Sequence, residues 1–395
     1  MKYLVPHGTL NQSIPYFCYQ YVVLKRTKTF KGERTDNRPQ ISNHQFQITM
    51  SQFNPDENGL HHHGIFGLPF DVEKAQIVLF PVPWEATVSY GYGTANGPEA
   101  ILKASQQIDL HDPIYPDGWR VGIAIEELPT QIVEANAACR AKSELYLSNF
   151  GSDGGMSLQE SQVLKDINNA TQKLCDFVKE KTKKLLDQGK FVGIVGGEHS
   201  VPLGYMQALA EKQDFGILQI DAHADLRNAY EGFVHSHASI MHNAMQIDNI
   251  TQLVQVGIRD FSQGENDFAA NSNGRILIYT DYEIKNALYN HGSWDSICTN
   301  IISHLPENVY ISFDIDGLQP WLCPNTGTPV PGGLLLEEAF YLLEKLANSS
   351  KKIIGFDLCE VSPGNDEWDG NVGSRVLYKL CLLVAKNRGM KNLGI

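Results

Sequence analysis

The sequence lacks the features that mark membrane proteins and disulfide-bonded secreted proteins. No apolar run approaches the roughly 18–20 residues needed to cross a bilayer. The stretch IPYFCYQYVVL (14–24) is the nearest candidate for a signal segment, but no small-residue cleavage pattern follows it. The seven cysteines are odd in number, scattered and without a CxxC pair, which favours a reducing compartment. We therefore expect a cytoplasmic protein that does not contact a membrane.

Basic residues are scarce relative to acidic ones. The chain carries 32 lysines and arginines against 45 aspartates and glutamates, which gives a net charge of −13. This balance argues against binding to nucleic acid, because nucleic-acid-binding proteins present basic faces. An acidic surface mainly serves solubility, so the charge alone says little about a substrate.

The chain is long enough for one large core, with 395 residues of which 42% are hydrophobic. Helical and strand patterns alternate through residues 75–390 without a clear linker. The earlier segment KRTKTFKGERTDNRPQ (25–40) is basic and poor in apolar residues, which is typical of a mobile arm. We expect a partly irregular N-terminal extension over residues 1–65 and one α/β domain over residues 66–395.

Short and nearly continuous apolar runs recur between helical segments. Four of them are FVGIVGG (191–197), FGILQI (215–220), NVYISF (308–313) and KKIIGF (351–356), and further strands are expected at 75–83, 251–257 and 275–279. Apolar strands separated by helices are typical of a parallel sheet covered on both faces.

Two helices are also expected from the sequence. One begins in GPEAILKAS (97–105), where Pro98 suits a first turn, and the other is the amphipathic stretch 160–190, which Gly189 ends. Residues 139–160, which include SNFGSDGGMS, are expected to form a surface loop or insertion.

Polar side chains follow four of the apolar runs immediately. GGEHS places His199 after the first run, DAHAD places Asp221, His223 and Asp225 after the second, DID places Asp314 and Asp316 after the third, and DLCE places Asp357 and Glu360 after the fourth. Ligand sites in open parallel sheets gather at the carboxyl ends of the strands, so these side chains should meet at one edge. Carboxylates crowded into one cleft raise each other's pKa unless cations offset their charge.

The spacing within two of these motifs favours a centre with two metal ions. Side chains two residues apart on a strand point the same way, so DxHxD and DxD can each span two ions. Any one motif could be an ordinary turn or a capping aspartate, but three of them in this order favour a metal site. Carboxylates with two imidazoles and no thiolate suit manganese or nickel better than a structural zinc.

Other candidate ligands are better explained without a metal ion. The triplet His61–His63 has no acidic or sulfur-bearing flanking residues, so we expect a solvated surface segment. Cys323 and Cys359 lie near the motifs in sequence, but small apolar core residues account for them better.

The motifs GGEHS, DAHADLR, SFDIDGLQP and GFDLCEVSP together resemble the ureohydrolase family, which includes arginases and agmatinases, and the resemblance extends over residues 75–390. It implies a three-layer α/β/α fold around a central, mostly parallel eight-stranded sheet. It also implies a binuclear manganese centre that hydrolyses a guanidino group to urea and an amine. The implied ligands are His199 and Asp225 on one ion, His223 and Asp316 on the other, and Asp221 and Asp314 bridging both.

The resemblance implies roles for residues around these ligands as well. Glu360 matches the family glutamate that accepts hydrogen bonds from the NH₂ groups of the substrate. His237 matches the histidine that carries a proton to the leaving amine. Asp225 is counted with these catalytic residues as well as with the ligands, whereas His235 and His242 are expected to be ordinary polar histidines.

The sequence departs from the family pattern in three places. Glu198 stands in GGEHS where many members have aspartate, and we expect little consequence because this position is not a ligand. Gln319 stands in DIDGLQP where a third aspartate is common, which could alter a contact near the site or between subunits. Trp321 follows directly; it is either a core or interface residue, or a ring that faces the site and packs on a guanidinium by cation–π attraction.

The substrate is expected to be a small guanidino compound. LRNAYEGFVHSHAS (226–239) is closer to the agmatinase type than to the arginase type, which disfavours arginine. A pocket shortened by Trp321 and the aromatic loop WEATVSYGYGT, with Thr94 as a polar contact, would suit guanidine ahead of agmatine. The long N-terminal region and WLCPNTGTPVPGG resemble the agmatinase-like subgroup that includes guanidine hydrolases, for which nickel is implied. The family also implies a homotrimer or homohexamer.

Three rival functions are compatible with parts of the sequence. Formimino-glutamate hydrolysis would need cations for an acidic substrate tail, and Arg227 is the nearby candidate. A catalytically silent regulatory subunit would be expected to lack metal ligands, yet all six are present. A deacetylase on the same fold would use a single zinc, which the DxHxD and DxD segments with a further histidine do not fit.

Overall fold

The computed structural model of the protein describes residues 53–56, 64–150 and 157–393. The predicted N-terminal extension falls almost entirely outside the described residues, and so does the triplet His61–His63. Everything below concerns the described part of the chain.

One sheet of eight strands forms the centre of the structure. In chain order the strands are β1 (Ile77–Val82), β2 (Ile123–Ile125), β3 (Phe191–Gly196), β4 (Phe215–Ile220), β5 (Ile250–Ile258), β6 (Ile276–Thr280), β7 (Asn308–Asp314) and β8 (Lys352–Cys359). The order across the sheet is β2-β1-β3-β8-β7-β4-β5-β6, and every pairing is parallel. Seven strands coincide with the predicted runs. β2 was missed because three residues at a sheet edge give too short a pattern.

The helices of the described residues are α1 (Gly97–Ser105), α2 (Thr130–Asn149), α3 (Leu158–Asp187), α4 (Leu203–Ala210), α5 (Ile240–Ala244), α6 (Gln263–Ala270), α7 (Asp281–Tyr289), α8 (Trp294–Ser303), α9 (Leu336–Ala347) and α10 (Trp368–Asn387). Local sequence explains their ends. At the start of α3 the Ser157 hydroxyl accepts from the Glu160 N–H, and the Glu160 side chain accepts from the Ser157 N–H. The helix stops before Gly189, whose φ of +76° suits a residue without a side chain, as predicted.

Helix α2 corrects the prediction of a loop over residues 139–160. Its buried residues are Ile132, Cys139, Ser143 and Tyr146, which are spaced seven, four and three positions apart and therefore share one face. The sequence of α2 is rich in alanine and polar residues, so its apolar stripe is too narrow for the helix to be predicted from the sequence. Residues 151–156 of the predicted loop lie outside the described residues.

Helices cover both faces of the sheet, and the strands between them are almost wholly buried. All residues of β1, β3 and β4 are buried, which explains the continuous apolar runs in the sequence. The predicted three-layer α/β/α fold is confirmed, with a sheet that is entirely rather than mostly parallel. Among the described helices, none is both long enough and apolar enough to cross a membrane.

Strand order brings the polar motifs together. The four strands that they follow, β3, β8, β7 and β4, are consecutive neighbours in the sheet. Because the strands are parallel, their carboxyl ends lie along the same edge. His199 and Glu360, which are 161 positions apart in the sequence, therefore become hydrogen-bonding partners.

Candidate metal centre

The first group of candidate ligands surrounds the ring of His199. Its Nδ1 lies 3.0 Å from Asp221 Oδ2, 3.1 Å from Asp225 Oδ2 and 3.3 Å from Asp314 Oδ2. His199 is 1% exposed and Asp221 is fully buried. Three carboxylates therefore converge on one imidazole nitrogen at the end of β3, away from water.

The second group adjoins the first. His223 Nδ1 lies 3.0 Å from Asp316 Oδ2 and 3.6 Å from Asp221 Oδ1. The two oxygens of Asp221 thus belong to different groups, one beside each histidine. Each group has the size of a metal site: the ligand atoms of His199, Asp221 and Asp314, and those of Asp221, His223 and Asp316, lie within 4.8 Å of one another.

Hydrogen bonds fix the orientation of the His199 ring and thereby favour a cation at its Nδ1. The Ser312 hydroxyl donates to Asp357 Oδ1 at 3.2 Å, so its oxygen accepts the proton of His199 Nε2 at 2.8 Å. Nδ1 then faces the carboxylate oxygens; burial would lower the pKa of His199, but Asp221, Asp225 and Asp314 raise it well above its ordinary value. These groups are stable together only with positive charge between them, which either a proton on Nδ1 or a metal ion supplies. The residues present therefore fit a metal ion.

The pKa values of the carboxyls show the same repulsion between buried negative charges. Burial, with Asp316 and Asp221 nearby, raises the pKa of Asp314 well above its ordinary value. Burial and the charge of Asp221 likewise raise the pKa of Asp225 to about 7. Burial would raise the pKa of Asp221 too, but His199 and His223 lower it instead. Without added positive charge these carboxyls cannot all be ionised together.

Backbone groups hold the carboxylates in place. The His223 N–H donates to Asp221 Oδ1 at 2.6 Å, the Asp316 N–H donates to Asp314 Oδ1 at 2.9 Å, and the Ala222 N–H donates to Asp316 Oδ1 at 3.0 Å. In Asp314 and Asp316 one oxygen is thus fixed by the main chain while the other points at a histidine.

Asp225 reaches its position through a strained backbone. Its φ of +54° is in the left-handed region, where a residue other than glycine is uncommon. The N–H groups of Met241 and His242 both donate to the Asp225 carbonyl at 3.1 Å, which holds the turn. Such strain persists where the surrounding structure imposes it, commonly at functional sites.

Glu360 lies beside the first group. The His199 N–H donates to Glu360 Oε1 at 2.8 Å, and the Thr326 hydroxyl donates to the Glu360 carbonyl at 2.8 Å. Its φ of +63° is again left-handed. A Cβ on Gly327 would lie 3.2 Å from Glu360 Oε2, so glycine at that position leaves room next to the carboxylate.

Thr94 begins a short 3-10 helix in the loop that follows β1. The side chain is fully buried, and its hydroxyl has no hydrogen-bond partner among the described residues. The preceding Gly93 packs so closely on Ser362, two residues after Glu360, that a Cβ would lie 2.5 Å from the serine hydroxyl. The loop is thereby seated against the segment that carries Glu360.

His237 opens a short 3-10 helix and is partly buried. Burial, together with His223 and His199, lowers the pKa of His237 to about 3. Its Nδ1 lies 3.5 Å from the Thr87 hydroxyl. Burial lowers the pKa of His235 and His242 as well. Neither ring belongs to the ligand groups of the described residues, although the backbone N–H of His242 donates to the Asp225 carbonyl.

Trp321 lies at the protein surface. Its side chain is 58% exposed, and its indole N–H donates to Gln319 Oε1 at 2.6 Å. The indole of Trp368 donates to the Trp321 carbonyl at 3.0 Å and ties this segment to α10. This exposure excludes a core position within the chain, whereas the role in substrate binding stays a prediction.

Several residues of the site were missed from the sequence. Ser312, Thr87 and Arg259 carry no motif signal, because their partners are brought close only by the sheet. The Arg259 guanidinium donates to the carbonyls of Asp316 (2.7 Å), Leu318, Val330 and Gly257. Glu198 was given little weight, yet it is fully buried and accepts three hydrogen bonds.

Comparison with known proteins agrees with this site. The sequence profile of the Arginase family matches residues 75–383, which include every ligand candidate. The chain belongs to the arginase family. Membership confirms the predicted enzyme class, a ureohydrolase that acts on C–N bonds of guanidino compounds.

Individual relatives are 22–32% identical to this chain over the matched residues. An N(1)-aminopropylagmatine ureohydrolase of Thermus thermophilus is 32% identical over 307 residues, covering 78% of this chain and 89% of that protein. An agmatinase of Bacillus anthracis is 28% identical over 298 residues, covering 75% and 87%. The structure of proclavaminate amidino hydrolase from Streptomyces clavuligerus matches with a TM-score of 0.63 and 22% identity, over 82% of this chain and 97% of that one. At this identity the match supports the arginase-like fold alone.

The arginase family depends on two divalent metal ions, and the two groups described above fit such a pair. His199 with Asp221 and Asp314 could hold one ion, and His223 with Asp221 and Asp316 the other. Asp225 adjoins the first group through its contact with His199.

Proposed function

We propose that the chain hydrolyses a small guanidino compound to urea with two divalent ions, manganese or nickel, held by six side chains: His199, Asp221, His223, Asp225, Asp314 and Asp316. The proposal is supported by the sharing of Asp221 between both ligand groups, because a shared carboxylate can contact two ions at once. A donor set of carboxylate oxygens with one imidazole per group suits manganese, and nickel accepts the same donors.

The proposed reaction is hydrolysis at the central carbon of a guanidinium. Bound divalent ions would supply hydroxide at neutral pH by lowering the pKa of water. The Glu360 carboxylate would accept hydrogen bonds from two NH₂ groups and hold the planar cation in place. Water adds to the carbon, one C–N bond breaks, and His237 gives a proton to the leaving nitrogen. With guanidinium the products are urea and ammonium.

We put guanidine first among the substrates, and the observation that carries this preference is the buried hydroxyl of Thr94, which has no hydrogen-bond partner among the described residues. A buried polar group without a partner costs about 1–3 kcal/mol, which a substrate N–H could recover. Guanidine has three unsubstituted nitrogens, so two can contact Glu360 while the third contacts Thr94. The proposal also includes Trp321 as an aromatic wall that shortens the pocket by cation–π contact.

Agmatine is the second candidate. In its favour, the relatives include an agmatinase and an aminopropylagmatine ureohydrolase, whose names describe guanidino groups with long amine tails. One nitrogen of agmatine carries an alkyl chain, so it offers a single N–H at the position where guanidine offers two. Selectivity between guanidine and agmatine would therefore depend on Thr94 and on the space beyond it.

A urea-release assay tests the proposal. Guanidine, agmatine, 4-guanidinobutyrate and arginine are each incubated with protein reconstituted with Mn²⁺ or Ni²⁺. We expect the highest kcat/KM for guanidine, and we expect Thr94→Val to lower it about tenfold or more with less effect on agmatine. Thr94→Ser is the matched control because it keeps the hydroxyl. Urea from none of the compounds with either metal would contradict the function and support a silent regulatory subunit.

The Trp321 part of the proposal has its own test. Trp321→Ala should narrow the preference for guanidine over agmatine, because the pocket loses its wall. The matched control is Tyr289→Ala, which removes an aromatic side chain that is exposed at the end of α7. If the ratio of kcat/KM values for the two substrates is the same in Trp321→Ala and in the wild type, the tryptophan has no role in selectivity.

Oligomeric state, compartment and domain boundary are also part of the proposal. We propose a homotrimer or homohexamer in the cytoplasm, with residues 66–395 as the catalytic domain and residues 1–65 as an extension. Light scattering coupled to size exclusion tests the assembly. Urea release by a chain that begins at residue 66 tests the domain boundary, and loss of activity in that shortened chain would assign residues 1–65 to the catalytic unit.

A further inference from the structure

A line of hydrogen bonds beside the candidate metal centre connects Glu198, Thr87 and His237. The proposed reaction uses His237 but gives no role to Glu198 or Thr87. Thr87 Oγ1 lies 2.8 Å from Glu198 Oε1 and 3.5 Å from His237 Nδ1. Glu198 and Thr87 are both fully buried. The three residues come from separate segments, since Thr87 follows β1, Glu198 follows β3 and His237 lies beyond β4.

Three donors among the described residues point at the Glu198 carboxylate. The Thr87 N–H donates to Oε2 at 2.8 Å, the Thr87 hydroxyl donates to Oε1 at 2.8 Å, and the Ser200 hydroxyl donates to Oε1 at 2.7 Å. The Glu198 carboxyl accepts three hydrogen bonds and donates none among the described residues, so it takes the proton of the Thr87 hydroxyl. Glu198 thus orients the Thr87 hydroxyl proton away from His237.

The direction of these bonds determines what Thr87 can offer to His237. The threonine hydroxyl has a single proton, and Glu198 takes it. Toward His237 the oxygen can only accept, so it selects the form of the ring in which Nδ1 carries the proton. Ser236 Oγ lies 3.4 Å from the same Nδ1 and, as a hydroxyl oxygen, can accept this proton too. Nε2 is then left with its lone pair.

We propose that Thr87 and Glu198 are positioning residues for His237: they hold its Nδ1 protonated, leave Nε2 free to carry the proton, and stabilise the charged ring. This inference rests on the proposed function, in which His237 gives a proton to the leaving nitrogen. After Nε2 gains a proton, the ring is a cation, and the Thr87 oxygen, whose own proton goes to Glu198, still accepts the proton of Nδ1. The 3.5 Å separation should shorten when the ring becomes charged, as catalytic hydrogen bonds do in substrate complexes.

Kinetics of two Thr87 variants test the proposal. Thr87→Val removes the hydroxyl at nearly constant volume, whereas Thr87→Ser keeps it. We expect kcat to fall about tenfold in Thr87→Val and to stay within about twofold of wild type in Thr87→Ser, with KM and metal content unchanged in both. The limb of the kcat–pH profile that reports His237 should move to lower pH by about one unit in Thr87→Val, because the charged ring loses its partner.

Thr182→Val is the matched control for the loss of a buried threonine hydroxyl. Thr182 is fully buried on α3 and donates to the Val178 carbonyl, so its substitution should affect stability but not kcat or the pH profile. A purely structural role for Thr87 would leave the pH profile in place. Equal kcat and equal pH profiles in Thr87→Val and Thr87→Ser would overturn the proposal.

A spectroscopic measurement separates this proposal from the proposed function. In zinc-loaded protein labelled with ¹⁵N-histidine, solid-state NMR shifts report which ring nitrogen carries the proton, and His237→Asn assigns the signal. We expect Nδ1–H in the wild type and Thr87→Ser, and a gain of Nε2–H in Thr87→Val. Nε2–H in the wild type, or the same populations in Thr87→Val, would overturn the positioning role. Absence of urea release by the wild type contradicts only the proposed function.

Discussion

Asp221 differs from the other candidate ligands because its two oxygens serve both groups. We therefore predict that Asp221→Asn abolishes binding of both ions, whereas His223→Ala, whose ring belongs to the second group alone, leaves one ion per chain. Metal content after gel filtration, measured by mass spectrometry, checks the difference. Retention of both ions by Asp221→Asn, or loss of both in His223→Ala, would show that the groups are not linked through this carboxylate.

Ser312 acts on the metal centre only through His199. Its oxygen fixes the ring so that Nδ1 faces the carboxylates, and such outer partners of a ligating histidine commonly contribute 10- to 100-fold in metal affinity. We predict a loss of about that size for Ser312→Ala in a chelator-competition titration. Ser374→Ala is the matched control, since this buried serine donates to a carbonyl of its own helix. Equal affinities in the two variants would contradict the role of Ser312.

At the scale of elements, Arg259 joins the end of β5 to the segment after β7. Its guanidinium donates to four carbonyls, including that of the ligand candidate Asp316. We predict that Arg259→Gln lowers the free energy of unfolding by about 2–3 kcal/mol, because carbonyls lose a charged donor, and that it also weakens metal binding. Arg275→Gln removes a guanidinium that donates to Met245 and Ile250 carbonyls, so it should affect unfolding alone. Equal metal affinity in both variants would show that the hydrogen bonds from Arg259 to the segment after β7 do not support metal binding.

Lys379 connects α10 with α9 and with the segment after α1. Its Nζ lies 2.8 Å from both Asp112 and Glu344, and all three side chains are mostly buried. Burial would raise the pKa of Asp112, but hydrogen bonds from Lys379 and the backbone lower it. Burial would lower the pKa of Lys379, but Asp112 and Glu344 raise it.

The signs of these shifts predict how stability depends on pH. Asp112 stabilises the fold above the ordinary carboxyl pKa and loses this effect as pH falls through its lowered value. Lys379 stabilises the fold below the ordinary lysine pKa and loses this effect as pH rises through its raised value. Lys379→Met should therefore lower the free energy of unfolding, measured with urea, by about 2 kcal/mol. This loss should be constant between about pH 5 and 9 and smaller below about pH 3. The control is Lys352→Met, which removes the exposed ion pair of Lys352 with Glu307. We expect it to change the free energy of unfolding by no more than about 0.5 kcal/mol. A cost that is unchanged at low pH would exclude the ion pairs as the cause.

The same elements explain which features could be predicted from the sequence. The ligand candidates were predictable because each follows a continuous apolar run, and parallel strands align their ends. Helix α2 was missed because its apolar stripe is narrow, and β2 because it spans three residues. Thr87 was missed for a different reason: its contact with His237 spans 150 positions and depends on loop geometry that no local pattern encodes.

For the whole molecule, the metal centre lies where four of the eight strands end, so its charge acts on the core of the fold. Ions that bind only the folded state stabilise it in proportion to the logarithm of their concentration over the dissociation constant. We predict that removal of the ions with a chelator lowers the melting temperature by about 10 °C or more, and that excess Mn²⁺ or Ni²⁺ restores it.

Asp314→Asn distinguishes the loss of ion binding from the repulsion between carboxylates. This variant removes one of the acidic groups around His199 while keeping nearly the same shape. Metal addition should raise its melting temperature less than that of the wild type, because the first group loses a ligand and the second group alone can still bind an ion. Its metal-free form should nevertheless melt at or above the metal-free wild type, because fewer like charges are then buried together. If chelation leaves the melting temperature of the wild type unchanged, or if metal-free Asp314→Asn melts well below metal-free wild type, the carboxylate cluster does not require the ions for its stability.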